Sequence, residues 1–147
     1  MQYFEDYAVG QKFASPRRRR VDAAEITAFA ADFDPQPFHL DEAAGKESMF
    51  GGLAASGWHT AAMTMSLIVG SEFRPVGGIL GFGGELQWLK PVRPADELRV
   101  ESEILELRES RSRPGQGLVK ARVTTLNQHD EVVQIFTPTL LVKKRSD

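Results

Sequence analysis

The chain has 147 residues, 41% of them hydrophobic and 26% charged, with a net charge of −2 and no cysteine. That balance excludes a disulfide scaffold, thiolate metal ligation and a globally basic nucleic-acid binder. The length fits one domain over residues 1–147, able to bury roughly two-thirds of its unfolded surface.

In chain order, the N-terminal MQYFEDYAVG is acidic and lacks the basic segment and apolar run of a signal peptide. No apolar run approaches the ~18 residues of a membrane span. A cytoplasmic chain without a membrane or nucleic-acid partner is therefore expected. RRRR, Arg17–Arg20, reads either as a solvated strand or as a contact for phosphates. Asp22 is the predicted N-cap of a first helix, with Glu25 as its capping-box partner. Ile26, Phe29, Ala30 and Phe33 follow at helical spacing, and Pro35 and Pro37 end the run. A second helix is predicted over about Leu53–Val69, a stretch with no charged residue. A helix apolar nearly all round must be covered nearly all round. Ala61 and Ala62 are expected to lie in close contact with a sheet.

That sheet is predicted downstream. Ile79–Leu89 reads as a strand bent at its glycines. Glu97–Leu107 alternates Leu98, Val100 and Ile104 with Arg99, Glu101 and Glu103, and Gly117–Leu126 sets Val119, Ala121 and Val123 against Lys120 and Arg122. Glu131–Val142 closes the series, with Pro138 predicting an edge or a bulge. Period-two runs joined by short turns indicate an antiparallel sheet with one wet face. The fold class is α+β, a sheet curled around one long buried helix.

The chemistry concentrates in DFDPQPFHL, where Asp34 and His39 stand five apart with Pro35 and Pro37 between them. An imidazole exchanges a proton near pH 7, and a carboxylate can orient it or share the task. Proline fixes φ, so the connection has few conformations to lose. The spacing alone equally fits a helix C-terminal turn whose Asp and His bond the backbone.

DPQPFHLDEAA, FGGLAASGW and LQWLKPVRPADELRV together resemble the MaoC-like dehydratases, the first of them through the hydratase-2 motif D-x-N-P-hydrophobic-H. Gln36 stands where that motif has Asn, Phe33 where Gly is common, and Ser56 where many members have His. The resemblance covers nearly the whole chain and implies a hot-dog fold, an antiparallel sheet wrapped around a long central helix. It implies a homodimer or larger homo-oligomer. It also implies reversible addition of water to a 2-enoyl-CoA, as in the (R)-specific enoyl-CoA hydratases, with no cofactor. By the motif, Asp34 and His39 match the catalytic pair, and Gly57 matches the glycine whose N–H forms the oxyanion hole.

The residue types suit that reaction. It needs a base for water, a proton for C2 and a donor for the enolate oxygen, and the last is available at a buried helix N-terminus. Ser56 and Ser66 are candidate substrate contacts, and Lys90 and Arg93 are candidates for coenzyme A phosphates. His59 is expected as a core histidine, Trp58 as packing and His129 as a turn residue. The three histidines have no recognised metal-ligand spacing. A hot-dog thioesterase and a non-catalytic acyl-thioester-binding module are the competing readings.

Overall fold

The computed structural model describes residues 1–146. A 3-10 turn (Phe4–Asp6) precedes β1 (Lys12–Ala14), β2 (Arg19–Arg20), α1 (Ala23–Phe33), α2 (Pro37–Leu40), α3 (Glu42–Glu47), α4 (Gly57–Val69), β3 (Leu80–Trp88), β4 (Glu97–Glu109), β5 (Gln116–Leu126) and β6 (Val132–Lys143). The sheet runs β1-β4-β5-β6-β3, with β2 also beside β4, and every strand pair is antiparallel.

The four long strands lie where they were predicted, and in β4 and β5 a one-residue slip would turn Val100, Val119 and Val123 to water. Leu98, Val100 and Ile104 of β4, Val119, Ala121 and Val123 of β5, and Val133, Leu140 and Val142 of β6 form one core with Met63, Leu67 and Ile68 of α4. Burying each such aliphatic side chain is worth about 1.5–3 kcal/mol. Pro138 is not on an edge, since β6 lies between β5 and β3. The β5–β6 ladder skips its position, and Gly84 stands opposite it on β3. A methyl at Gly84 would meet the Thr137 carbonyl oxygen at 2.5 Å, so only glycine permits that approach.

Three expectations are corrected. First, α4 begins at Gly57, not near Leu53. Leu53–Ser56 is buried non-helical chain, held by Ala54 N–H on Phe38 O and Ala55 N–H on Val92 O. Ser56 is a good N-cap, and it starts the helix where it stands. Second, Ala62 is exposed and Ala61 only half-buried, while Trp58, Met65 and Val69 are 59%, 39% and 60% exposed. The sheet covers one side of α4 and leaves the other face open. Third, Asp22 occupies the N-cap of α1 but makes no capping bond. The arginines of β2 compete for the carboxylates: Arg20 pairs with Asp22 at 3.4 Å and Arg19 with Glu25 at 3.0 Å.

Candidate active site

Asp34 is the C-cap of α1, with its N–H on the Ala30 carbonyl at 2.9 Å. Pro35 stops the helix there. Pro37 then opens α2 at its first position, where a missing N–H is harmless. Two short steps of fixed φ thus return His39, 5% exposed, to face Asp34. His39 Nε2 lies 3.4 Å from Asp34 Oδ2. His39 Nδ1 lies 2.7 Å from the Ala54 carbonyl oxygen, which only accepts. The neutral ring therefore carries its proton on Nδ1 and leaves the Nε2 lone pair toward Asp34. Phe38 packs edge-on against the imidazole with centroids 4.7 Å apart, and Phe50 packs on Phe38 at 5.1 Å.

The carboxylate is held from its other side. Ser56 Oγ donates to Asp34 Oδ2 at 2.7 Å, and Gln36 Nε2 donates to Oδ1. Burial by itself raises the Asp34 carboxyl. The bonds from Gln36 and Ser56, with the nearby His39, outweigh burial and hold it below its ordinary 3.8. Asp34 is thus a steady carboxylate near neutral pH.

The same Ser56 hydroxyl accepts from Trp58 N–H at 3.3 Å and so caps α4. Gly57, the next residue, is the first of that helix. Its N–H has no intrahelical acceptor by position, and the helix dipole makes that end electropositive. A methyl at Gly57 would sit 2.4 Å from the indole of Trp88, so a side chain there collides with an aromatic wall. Asp34, His39, Ser56 and the α4 N-terminus form one cluster.

Ser56, a candidate substrate contact by sequence, has 0% exposure and its hydroxyl is engaged with Asp34. The other sequence candidates lie elsewhere. Ser66 lies on the exposed side of α4 and donates to Met63 O at 2.8 Å. Lys90 pairs with Glu131 on the surface. The Arg93 guanidinium donates to the Phe50 carbonyl and so fastens the segment that carries Phe50 beside His39. His59 is 5% exposed and stacks on Phe29 at 4.6 Å and 8°. Its Nδ1 is buried with no partner among the described residues. Burial pushes its imidazole below the ordinary 6.5; Glu25 opposes that shift and Arg19 adds to it. Among the described residues, no group of three or more His, Asp or Glu is arranged to hold a metal ion. Among the described residues, no helix is long and apolar enough to cross a membrane.

Two features escaped sequence reasoning, the carbonyl of Ala54 on His39 and the ring of Trp88 on Gly57. Neither has a local signal, since each crosses between distant segments. The cap at Ser56 was missed as well, although Ser-Gly before an uncharged run is a signal that could have found it. An apolar groove of about 190 Å³ starts beside Gly57, between α4 (Trp58, Ala61, Met65) and the sheet (Leu86, Phe136). A larger depression of about 530 Å³ lies on β1, β4 and β5 among Lys12, Glu101, Glu103 and Arg122. None of the residues lining that depression belongs to the Asp34–His39 segment, and the charges of Arg122 and Glu103 pair there.

The family model for the MaoC-like domain matches residues 5–127. The uncharacterized protein YdeM of Bacillus subtilis is 31% identical over 139 residues, covering 94% of this chain and 95% of that protein. The mesaconyl-CoA hydratase of Cereibacter sphaeroides is 31% identical over 147 residues, and the match spans 97% of this chain but 41% of that longer protein. Among solved structures, the MaoC-like dehydratase from Rhodospirillum rubrum has a TM-score of 0.95 and 53% identity over 100% of both chains. The (R)-hydratase from A. caviae involved in PHA biosynthesis has a TM-score of 0.71 and 27% identity, over 96% of this chain and 99% of that one. These likenesses establish the hot-dog fold and support hydratase activity in general.

Proposed function

The chain belongs to the MaoC-like domain family, and on that premise we propose that it adds water reversibly to a 2-enoyl-CoA to give a 3-hydroxyacyl-CoA. The observation that carries this reading is the buried pairing of His39 Nε2 with Asp34 Oδ2 at 3.4 Å, beside the N-terminus of α4.

In the proposed reaction a water molecule bridges Asp34 and His39. The Nε2 lone pair of His39 takes one proton from it, and the oxygen bonds to C3 of the enoyl group. Asp34, held as a carboxylate, keeps the other O–H aligned and stabilises the imidazolium. The C2–C3 π electrons move onto the thioester carbonyl, whose oxygen becomes an enolate. The Gly57 N–H faces that oxygen, and removing such a donor typically costs a factor of about 10²–10³. The imidazolium then returns its proton to C2. Atoms and charge balance without a metal or a redox group.

The acyl chain would lie in the groove between Trp58, Met65, Leu86 and Phe136. Lys90, on the surface and paired with Glu131, is better placed than Arg93 to meet coenzyme A phosphates. The open face of α4 and the free edge of β3 call for a cover. Leu80, Phe82 and Trp88 on that strand are 57%, 57% and 45% exposed, and such an edge invites pairing. A second copy of the chain is the proposed cover, and light scattering at micromolar concentration tests it. The cysteine-free chain suits a reducing compartment, so the cytoplasm is the proposed location.

The test of function is incubation with crotonyl-CoA while following the enoyl absorbance and free thiol together. Loss of absorbance without thiol supports hydration. Thiol release would indicate a thioesterase, and binding with neither signal a non-catalytic module.

A further inference from the structure

Gln134 is a long polar side chain with 0% exposure in the middle of an apolar sheet face. An aliphatic residue would fill the same space without any need for partners. Its amide is nonetheless satisfied. The Trp88 indole Nε1–H donates to Gln134 Oε1 at 3.1 Å, and Gln134 Nε2–H donates to Thr64 Oγ1 at 3.0 Å. Thr64 Oγ1 in turn shares a hydrogen bond with Thr125 Oγ1 at 2.7 Å. Trp88 and Gln134 are direct partners in the β3–β6 ladder, so the sheet register sets their separation.

Two members of this chain of bonds meet one helix. Thr64 belongs to α4, and the Trp88 ring lies against Gly57 at the start of α4. Seven residues, about two turns, separate these points. The sheet therefore grips α4 twice, once by hydrogen bond and once by ring contact, and a single buried amide links the two. A purely apolar contact would let the indole slide along Gly57. The hydrogen bond to a fully buried acceptor gives it one position.

We infer that Trp88 and Gln134 are positioning residues for the Gly57 N–H: the buried amide fixes the indole, and the indole fixes where the first turn of α4 presents its donor. This rests on the hydratase reading above, in which that N–H meets the enolate oxygen. An enolate oxygen exists only as the reaction proceeds, so a displaced donor lowers kcat while substrate binding is largely kept.

The experiment compares the full-length protein with Gln134→Leu and Trp88→Phe, measuring kcat and KM on crotonyl-CoA. Indole N–H resonances of the two tryptophans are recorded in parallel by 15N-correlated NMR. Val119→Ala, a cavity in the same core on β5 away from the bridge, is the control for lost stability. The expected result is a fall in kcat of about ten- to a hundredfold, the scale of a donor displaced by an ångström or less. KM should stay near wild type in Trp88→Phe, whose ring does not line the acyl groove, and Gln134→Leu, whose side chain does, should move one of the two indole resonances. Val119→Ala should lose stability and keep its kcat. Should Gln134→Leu fail to fold, Trp88→Phe carries the kinetic test alone, because Trp88 is 45% exposed. Wild-type kcat in the folded variants, a rise in KM alone in Trp88→Phe, or an equal fall of kcat in Val119→Ala would each overturn the inference. A wild-type protein without hydratase activity would instead overturn the proposed function, and the positioning role with it.

Discussion

Ser56→Ala separates the two tasks that one hydroxyl performs. Ser56 Oγ donates to Asp34 Oδ2 at 2.7 Å and accepts from Trp58 N–H at 3.3 Å. A hydrogen bond to a charged group contributes about 1.5–3 kcal/mol. Asp34 keeps only 17% of its side chain exposed, so water replaces the lost donor poorly. The capping bond is long, which places it at the low end of the usual range, about 0.5–1 kcal/mol. The sum is a loss of roughly 2–4 kcal/mol, or about 5–15 °C in Tm for a domain of this size. Urea denaturation of the wild type and variant reads it directly. The pH profile carries the second signature. Ser56 is one of the groups that hold the Asp34 carboxyl below 3.8, so its removal lets that carboxyl rise. Folded-state stability from Asp34 is present above its unfolded value and is lost as pH falls through the lowered folded one. In the variant the folded carboxyl titrates closer to the unfolded one, so that loss is smaller and ends at a higher pH, and the acid limb of the rate profile moves to higher pH. A variant within about 0.5 kcal/mol of wild type, the usual scatter of surface substitutions, with an unmoved acid limb, would refute the reasoning.

Other outcomes follow from the same geometry. Asp34→Asn and His39→Ala should each lower kcat by about two to four orders of magnitude, and the double variant by far less than the product, as single-turnover hydration kinetics would show. Near wild-type rates in both folded single variants would make the loop structural. Gly57→Ala should displace the Trp88 ring, whose nearest atom lies 2.4 Å from the added methyl, costing about 1–3 kcal/mol by denaturation. The imidazole of His59 is lowered from 6.5 by burial, so the unfolded chain takes up that proton first. Stability should therefore fall as pH drops below 6.5 toward the lowered folded value. His59→Phe, which keeps the stack on Phe29, should flatten that part of the stability curve; an unchanged slope between pH 5 and 6.5 would contradict it.

Sequence by itself determined the parts whose physics is local. Alternation in 97–107 and 117–126 specifies both strand and inward face, because the side-chain period is two and a slip would expose the valines. Proline at 35 and 37 ends one helix and starts the next whatever surrounds them, because φ and the missing N–H are covalent properties. The Asp34–His39 pair was legible through the resemblance to the hydratase-2 motif, since the spacing alone left a backbone-bonded turn equally open. Tertiary structure decided the rest. The two-residue β2 owes its existence to the edge of β4, which no short pattern encodes. The open face of α4 looks like any other uncharged stretch in one dimension; only the reach of the sheet shows which side is left bare. Ser56 could be read as a substrate contact until the fold turned it toward Asp34. The Ala54 carbonyl sets the tautomer of His39, and Trp88 covers Gly57, through contacts between segments 15 and 31 residues apart. Such contacts depend on where the chain returns in space, and that is fixed by burial of the whole core rather than by any residue's neighbours in sequence.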